Sequence, residues 1–382
     1  MDIYEESLKF HKKHKGKLEV TSKVPLDTRY DLSLAYTPGV AEACREIVRN
    51  PDAVWDVTSR GNMVAVITDG SAVLGLGDIG ASASLPVMEG KCALFKKFAN
   101  IDAFPLALKT RDIDVFVQTV KEISGSFGAV NLEDISAPRC FEIEERLKNE
   151  LDIPVMHDDQ HGTAVVVVAG IINAFKITGR SFETAKILVN GAGAAGVAIV
   201  KALFNFGAKD IIVADSQGII SKERTDLTPI KKKLLETTNV TNVSGSLADG
   251  IVGRDVFIGV SVGGALTADM VREMATHPII FALANPIPEI MPDVAKEAGA
   301  KVVATGRSDF PNQVNNVLAY PGIFRGVLDV RAPQITDHMK RAATIALAEY
   351  VAVPSVDTVI PDVFDKGVVT AVAKAVRDAS RE

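Results

Sequence analysis

The sequence predicts an α/β protein with two parallel-sheet units, followed by C-terminal helices that pack back on the body. Three observations support this class. Short apolar segments rich in β-branched residues alternate with helical segments along most of the chain. A turn of the form G-x-G-x-x-G begins at Gly191, directly after one of these apolar segments. Pairs of acidic residues follow two segments of the first unit, at the strand ends where ligands collect in parallel sheets.

Length and composition narrow the possible classes of protein. The chain has 382 residues, enough for two or three domains, and 47% of them are hydrophobic. The net charge of -6 argues against a protein that binds nucleic acid. The acidic N-terminus does not resemble a signal peptide, and no apolar run approaches the roughly 20 residues that span a bilayer. Cys44, Cys92 and Cys140 are too widely spaced to predict a disulfide framework or a zinc site. We therefore expect a cytoplasmic protein that binds neither nucleic acid nor membrane.

The first 60 residues contain one candidate functional side chain. Residues 1–30 are charged and predict a solvated helix and loop. Pro38 and Gly39 mark a turn, after which residues 41–48 predict a helix. Tyr36 stands just before this turn. A tyrosine in a loop can be a packing residue with a hydrogen-bonded hydroxyl or a functional group, and the local pattern leaves both open.

A strand at residues 64–68 is followed by a glycine-rich loop that contains Gly75, Gly77 and Gly80. Pro86 comes too soon for the long helix that a dinucleotide fingerprint requires, so we expect a close approach of backbone to a ligand or strand. The predicted helix at 87–98 carries Lys91. This lysine can lie on the surface, or it can be buried with a lowered pKa and act as a general base.

Two acidic pairs follow neighbouring strands of the first unit. Glu133 and Asp134 come after the strand at 127–130, and Asp158 and Asp159 come after the one at 153–156. Since parallel strands end at one edge, Glu133, Asp134 and Asp159 should lie close together, and three oxygen ligands suit Mg²⁺ or Mn²⁺. Each pair could instead be a helix cap or a salt bridge. Asp158 should face a different partner from Asp159 and could orient a neighbouring base. Further strands and helices complete this unit, at residues 102–108, 112–123 and 139–150.

The apolar run at residues 164–172 predicts a buried helix that leads into the second unit. A strand, the glycine-rich turn, a helix ending near Phe206 and a strand ending at Asp215 then predict a Rossmann-type dinucleotide site. Asp215 can accept a hydrogen bond from a ribose 2′-hydroxyl, which favours NAD, although Lys222 and Arg224 leave NADP possible. The turn residues expected to bind the pyrophosphate at the helix N-terminus are Gly191, Ala192, Gly193, Ala194, Ala195 and Gly196.

The rest of the chain predicts a doubly wound parallel sheet and its helical cover. Asn285 follows a predicted strand, in a loop shaped by Pro286 and Pro288, and Asn315 and Asn316 lie in a second loop. The remaining predicted elements are strands at residues 256–260, 279–283 and 302–304 and helices at residues 336–351 and 365–381.

These motifs, taken in order, resemble those of the malic enzymes of the short prokaryotic type. The resemblance extends over nearly the whole chain. It implies an N-terminal catalytic and metal-binding domain at 1–160 and an NAD(P)-binding domain with C-terminal helices at 161–382. The segments that carry it are residues 36–41, 74–78, 89–91, 131–134, 158–164, 285–286 and 315–316.

The resemblance implies oxidative decarboxylation of L-malate to pyruvate and CO₂, with reduction of NAD or NADP, in a homodimer. Tyr36 would be the general acid and Lys91 the general base, with Asp158 beside them. Larger family members carry a carboxylate-binding arginine where this chain has Val73.

The resemblance also implies the ligand contacts. The residues expected to hold Mn²⁺ or Mg²⁺ are Glu133, Asp134 and Asp159. Those expected to contact malate are Lys91, Asn285 and one or both of Asn315 and Asn316.

Three alternatives remain open from the sequence. A malolactic-type enzyme would use the same site and release lactate while retaining NAD. An inactive nucleotide-binding regulator would keep the second unit but would not need the acidic residues. An amino-acid dehydrogenase also combines an N-terminal lysine with a Rossmann domain but needs no acidic triad, so metal dependence distinguishes it.

Overall fold

The computed structural model describes residues 3–73 and 75–381. Leu74, part of the glycine-rich segment, lies outside the described residues. Two β-sheets, each with helices packed against it, are joined by one long helix, which confirms the α/β class. The predicted division of the chain after residue 160 stays a prediction.

The first sheet has four parallel strands in the order β2-β1-β3-β4. In its register Ile67 pairs with Leu132, and Leu132 pairs with His157. The segments after β1, β3 and β4 therefore leave the sheet at the same edge. The strands are β1 (Met63–Thr68), β2 (Asp102–Ala107), β3 (Ala129–Leu132) and β4 (Val155–His157).

The described residues of this first unit form seven helices. Helices α1 to α3 bury none of their residues, whereas α6 and α7 pack against each other and cover one sheet face through Phe116 and Ile143. Three short 3-10 segments also occur here: Pro51–Ala53, Ser59–Asn62 and Ser124–Ser126. The helices are α1 (Ile3–His14), α2 (Arg29–Ala35), α3 (Val40–Arg49), α4 (Val54–Val57), α5 (Gly80–Ala99), α6 (Ile113–Ile123) and α7 (Arg139–Glu150).

Helix α5 is longer than the sequence pattern predicted. It begins at Gly80, directly after the glycine-rich loop, and Pro86 lies inside it. The prediction that Pro86 would interrupt the segment was wrong. Proline removes one backbone donor from a helix, but the buried side chains of Met88, Cys92 and Phe95 anchor this helix in the core. Tertiary packing thus outweighs the local cost.

Helix α8 (Asp158–Thr178) connects the two sheets through the centre of the protein. It extends the predicted apolar run at both ends, and Gly179 caps it in a left-handed conformation. By length and composition it could cross a membrane, but 67% of its apolar window is buried inside the protein. It is therefore a core helix, and its first turn carries Asp158 and Asp159.

The second sheet has the order β10-β9-β8-β5-β6-β7 and is parallel except for the short edge strand β7. Its order reverses at β5, which opens a crevice between β5 and β8 and confirms the doubly wound Rossmann-type arrangement. The strands are β5 (Lys186–Asn190), β6 (Asp210–Asp215), β7 (Gly218–Ile219), β8 (Val256–Gly259), β9 (Ile279–Ala282) and β10 (Val302–Thr305). The accompanying helices are α9 (Ala194–Asn205), α10 (Pro229–Leu234), α11 (Leu247–Ile251), α12 (Ala268–Arg272) and α13 (Pro292–Glu297).

Three helices in the described C-terminal part of the chain pack back on the body, and two of them, at residues 336–351 and 365–381, were predicted. Helix α15 lies against α8, and α14 lies against α5 of the first unit. Helix α14 was not predicted, because Gly322 and Gly326 interrupt its apolar pattern. Both glycines are needed, since an added Cβ would lie 2.7 Å from the side chains of Val372 and Val376. The helices are α14 (Tyr320–Val330), α15 (Asp337–Tyr350) and α16 (Val368–Ala379), and the 3-10 turn Asn316–Leu318 precedes them.

Candidate active site

Three carboxylates meet at the carboxyl edge of the first sheet. Glu133 and Asp134 follow β3, and Asp159 lies in the first turn of α8. One oxygen of each lies within 4.8 Å of the others, and the backbone N–H of Asp134 donates to Oδ2 of Asp159 at 2.8 Å. Burial raises the pKa of Glu133 to about 7 and that of Asp159 to about 6. These clustered oxygens need a positive charge, so the residues fit a hard divalent cation.

Lys91 lies beside this cluster and is 7% exposed. Its Nζ is 2.6 Å from Oδ2 of Asp158 and 2.9 Å from Oε1 of Glu133. Burial alone would lower the pKa of Lys91, but the two carboxylates outweigh it and the pKa is raised. The expectation of a lowered pKa therefore differs from the structure. A cation on Glu133 would compete with the ammonium group for that carboxylate.

Asp158 faces Lys91, whereas Asp159 faces Asp134, so the two aspartates have different partners, but both lie in the first turn of α8 and not on a strand as the prediction assumed. The side chain of Asp158 is fully buried, and this burial raises its pKa to about 7. Gly162, one turn later on α8, makes room for it. A Cβ at Gly162 would overlap Oδ1 of Asp158 and lie 2.9 Å from its Cγ.

Tyr36 is not brought to this cluster within the single chain. It caps the C-terminus of α2, and its side chain is 66% exposed. Its hydrogen bonds within the described part of the chain are backbone bonds to Leu32 and Val40. The chain therefore places the candidate acid on the surface of the N-terminal helices.

The asparagines predicted to contact substrate lie in two loops of the second unit. Asn285 follows β9, and its Nδ2 lies 3.4 Å from the carbonyl oxygen of Leu283. Asn315 caps the 3-10 turn, where its Oδ1 accepts from the backbone of Val317. The Cβ of Asn316 would lie 3.3 Å from a Cβ at position 162, so this residue packs on the first turn of α8.

Tyr320 belongs to the same site but gave no signal in the sequence. The Nζ of Lys91 lies 4.2 Å from the centroid of its ring, a distance at which a cation is attracted to the ring face. Tyr320 is fully buried, and its hydroxyl has no hydrogen-bond partner among the described residues. Only the packing of α14 on α5, which is a long-range contact, brings the two residues together.

Glu144, which the sequence did not indicate, stabilises the start of α8 from the neighbouring helix α7. Glu144 on α7 accepts from the backbone N–H of His157 at 3.0 Å and lies 2.9 Å from Nε2 of His161. Burial would raise the pKa of Glu144, but His161 outweighs it and lowers the pKa to about 2. This ionised carboxylate joins α7 to the start of α8.

The glycine-rich turn after β5 lines a cavity of about 500 Å³. An added Cβ at Gly191, whose φ is 126°, would lie 2.6 Å from the carbonyl oxygen of Val260. A Cβ at Gly196 would overlap the carbonyl oxygen of Gly191. Both positions therefore require glycine for steric reasons. The fingerprint residues of this cavity wall include Gly191, Ala192, Gly193 and Asp215, and Ala194, Ala195 and Gly196 form the start of α9.

Asp215 at the end of β6 is held by two cations. Arg224 Nη1 lies 2.7 Å from its Oδ1, and Lys231 Nζ lies 2.7 Å from its Oδ2. Lys231 also lines the cavity. The sequence pointed to Lys222 and Arg224 but missed Lys231, because α10 returns it to the strand end 16 residues after Asp215.

Val73 cannot bind a carboxylate, because its side chain is apolar and buried. It is 2% exposed and forms an isolated bridge with Gly77. Two guanidinium groups lie near the end of β1, where Arg139 and Arg111 approach Asp69 at 2.7 and 3.2 Å. Both already hold this buried carboxylate.

Comparison with known proteins finds similarity to malic enzymes along nearly the whole chain. A family profile described as "Malic enzyme, N-terminal domain" matches residues 15–148, and one described as "Malic enzyme, NAD binding domain" matches residues 160–380. A bifunctional malic/malolactic enzyme of Bacillus subtilis is 59% identical over all of this chain and 94% of its own length. An NAD-dependent malic enzyme of Geobacillus stearothermophilus is 53% identical, over 96% of this chain and 77% of its own length.

Other relatives differ in length and coenzyme. An NADP-dependent malic enzyme of Rhizobium meliloti is 49% identical over 99% of this chain but only 52% of its own length. Among solved structures, an NAD-dependent malic enzyme of Thermotoga maritima is 47% identical and superposes with a TM-score of 0.94. That match covers 97% of this chain and 98% of the other. The fold is thus shared over nearly the whole chain.

Proposed function

The chain belongs to the malic enzyme family, and from that premise we propose that it converts L-malate to pyruvate and CO₂ with a divalent metal and NAD or NADP. One observation carries the proposal. The carboxylates of Glu133, Asp134 and Asp159 lie within 4.8 Å of one another, directly beside the buried Lys91. A nucleotide site alone would not require this group.

The side chains suit the two proton transfers. The carboxylates of Glu133, Asp134 and Asp159 would hold a divalent cation that supplies Lewis-acid chemistry, and the cavity at Gly191 would hold a nicotinamide coenzyme that supplies a hydride acceptor. Lys91, once neutral, takes the proton of the C2 hydroxyl, and Asp158, 2.6 Å away, orients the amine and stabilises its protonated form. Tyr36 gives a proton to C3 after CO₂ has left. Asn285 and Asn316 hold the malate carboxylates from the second unit.

The position of Tyr36 favours a homodimer. The helices α1 to α3 bury none of their residues, yet they expose large apolar side chains such as Ile3, Tyr4 and Leu8. An apolar surface of this kind is typical of an interface, and a second copy of the chain would cover it. In such a dimer Tyr36 would complete a site that the single chain leaves without its acid.

Mixing two inactive variants tests this arrangement. If Tyr36 serves the Lys91 of the partner chain, refolding Tyr36→Phe together with Lys91→Ala should restore about a quarter of the activity, since half of the dimers are mixed and each has one intact site. No restoration, with mixed dimers present by mass spectrometry, would place both residues in one chain's site.

The coenzyme site is suited to both NAD and NADP. Asp215 favours a ribose 2′-hydroxyl, which supports NAD as the sequence predicted. Lys231 lies on the cavity wall beside it and offers a positive charge to a 2′-phosphate. Relatives with each coenzyme match this chain at similar identity.

A malolactic activity is the second candidate function. It is favoured by the full-length match to an enzyme named as bifunctional malic/malolactic. The two reactions share malate and the metal, so only the product and the fate of the reduced coenzyme separate them.

The decisive experiment follows coenzyme reduction by L-malate with Mn²⁺ and with chelator, while pyruvate and lactate are measured. Metal-dependent reduction with equal pyruvate would support the proposal, and lactate without net reduction would support the malolactic reaction. Lys91→Ala should abolish oxidation while NAD binding persists. Neither product, with NAD still bound, would overturn both reactions in favour of an inactive nucleotide-binding protein.

A further inference from the structure

Glu289 is a fully buried carboxylate in the loop after β9, outside the groups that the proposed reaction uses. Its Oε2 accepts from the backbone N–H of Ala284 at 3.0 Å, and its Oε1 accepts from the backbone N–H of Ser261 at 2.9 Å. Ala284 follows β9 and Ser261 follows β8. One carboxylate thus joins the ends of two adjacent strands at the edge where the coenzyme cavity lies.

The surroundings are shaped to admit this side chain. A Cβ at Gly259, the last residue of β8, would lie 2.5 Å from Oε1 of Glu289. The hydroxyl of Ser261 in turn accepts from Nδ2 of Asn190 at 2.8 Å, so the end of β5 is connected as well. The carboxylate therefore connects the ends of β5, β8 and β9 rather than stabilising a single turn.

Asn285 lies directly beside this connection. Its backbone follows the Ala284 amide that Glu289 holds, and its side chain lies against Gly306 after β10. A Cβ at Gly306 would lie only 2.6 Å from Nδ2 of Asn285. Glu289 therefore holds the backbone just before Asn285, and the side-chain amide of Asn285 lies against the bare backbone of Gly306.

The same loop receives the glycine-rich segment of the first unit. A Cβ at Gly75 would lie 3.2 Å from the carbonyl oxygen of Asn285 and 3.3 Å from Cδ of Pro286. The contact between the two units at this point thus depends on the position of the loop that Glu289 holds.

We propose that Glu289 is a positioning residue that sets Asn285 in place for malate and fixes the surface on which the Gly75 segment rests. The inference rests on the proposed function, because it assigns Asn285 to malate. Glu289→Gln provides the test. The amide has one accepting oxygen for two N–H donors, so its NH₂ group must face either Ala284 or Ser261 and displace the loop.

Two measurements on the whole enzyme separate positioning from general weakening of the fold. The KM for malate of Glu289→Gln should rise at least about tenfold, because small displacements of a substrate-binding group are costly, whereas the KM for NAD, whose cavity Ser261 lines, should rise less. Hydrogen exchange of the segment 283–290 should become at least about tenfold faster in the absence of ligand. Glu297→Gln, an exposed change on α13, is the matched control and should alter neither.

Each outcome decides the inference. Unchanged malate KM in a folded Glu289→Gln enzyme would overturn it, whether or not exchange is faster, because the loop would then not position the substrate. If the glutamine variant does not fold, Glu289→Asp keeps the charge but shortens the reach, and the same two measurements apply. If the wild-type enzyme does not oxidise malate, the proposed function fails, and unchanged exchange in the variant would then refute the connection itself.

Discussion

Replacing Gly162 by alanine would force the buried Asp158 carboxylate out of its place. An added Cβ would overlap its Oδ1 and lie 3.3 Å from the Cβ of Asn316. Asp158 is fully buried, and its other oxygen is 2.6 Å from Nζ of Lys91. The carboxylate cannot move without lengthening that ion pair, so the change acts on Lys91 without touching it.

Two opposing effects set the magnitude for stability. Alanine in place of glycine inside a helix normally stabilises by about 0.5–1 kcal/mol. Overpacking of a dense core costs about 1–3 kcal/mol, so we expect a net loss of about 1–2 kcal/mol. For catalysis, a displacement of about 1 Å at Lys91 should lower kcat about 100-fold, which corresponds to about 2.7 kcal/mol of transition-state stabilisation.

The assay pairs kcat for malate-dependent NAD reduction with urea unfolding of the same protein. Gly90→Ala is the control for helix propensity, because the atom nearest to an added Cβ there is Nζ of Lys17 at 3.8 Å. Gly90→Ala should gain stability. If Gly162→Ala gained as much and kept kcat within about twofold of wild type, the steric reasoning would be refuted.

Three further predictions concern the carboxylate site and the coenzyme cavity. Tyr320→Phe removes a buried hydroxyl without a partner among the described residues, so urea unfolding should show unchanged stability or a gain of up to about 1 kcal/mol; a clear loss would contradict this. Lys231→Gln should weaken NADP binding at least about tenfold in a fluorescence titration and leave NAD within about threefold; equal weakening would contradict the assignment. The free energy of unfolding of the metal-free protein should fall as the pH rises from about 4 to about 7, because folded Glu133 and Asp159 keep protons that the unfolded chain releases. Thermal unfolding with Mn²⁺ should remove this slope, and an unchanged slope would place the metal elsewhere.

Local sequence patterns correctly predicted those features whose residues are close together in the chain. The glycine-rich turn at Gly191 and the acidic residues after β3 and β4 could be located because strand, turn and acid are adjacent in the chain. The parallel topology then brought Glu133 and Asp159 together, as the common strand edge required. These parts needed only periodicity and one rule about strand ends.

The rest depends on contacts between distant segments. Tyr320 reaches Lys91 through the packing of α14 on α5, and Lys231 returns to Asp215 through α10. The charge state of Lys91 also depends on which carboxylates surround it. The local sequence around position 91 allowed a buried lysine but did not identify these carboxylates. Tyr36 could not be placed, since its environment in the single chain is solvent.

The distribution of cysteines gives the protein a built-in labelling site. Cys92 and Cys140 are buried, and burial raises the pKa of both thiols, whereas Cys44 is exposed on α3. A maleimide dye should therefore attach at one defined position of the natural sequence. This position lies on the N-terminal helices that we expect a second copy to cover. Fluorescence anisotropy or transfer between labelled chains would thus follow their association directly, without any engineered cysteine.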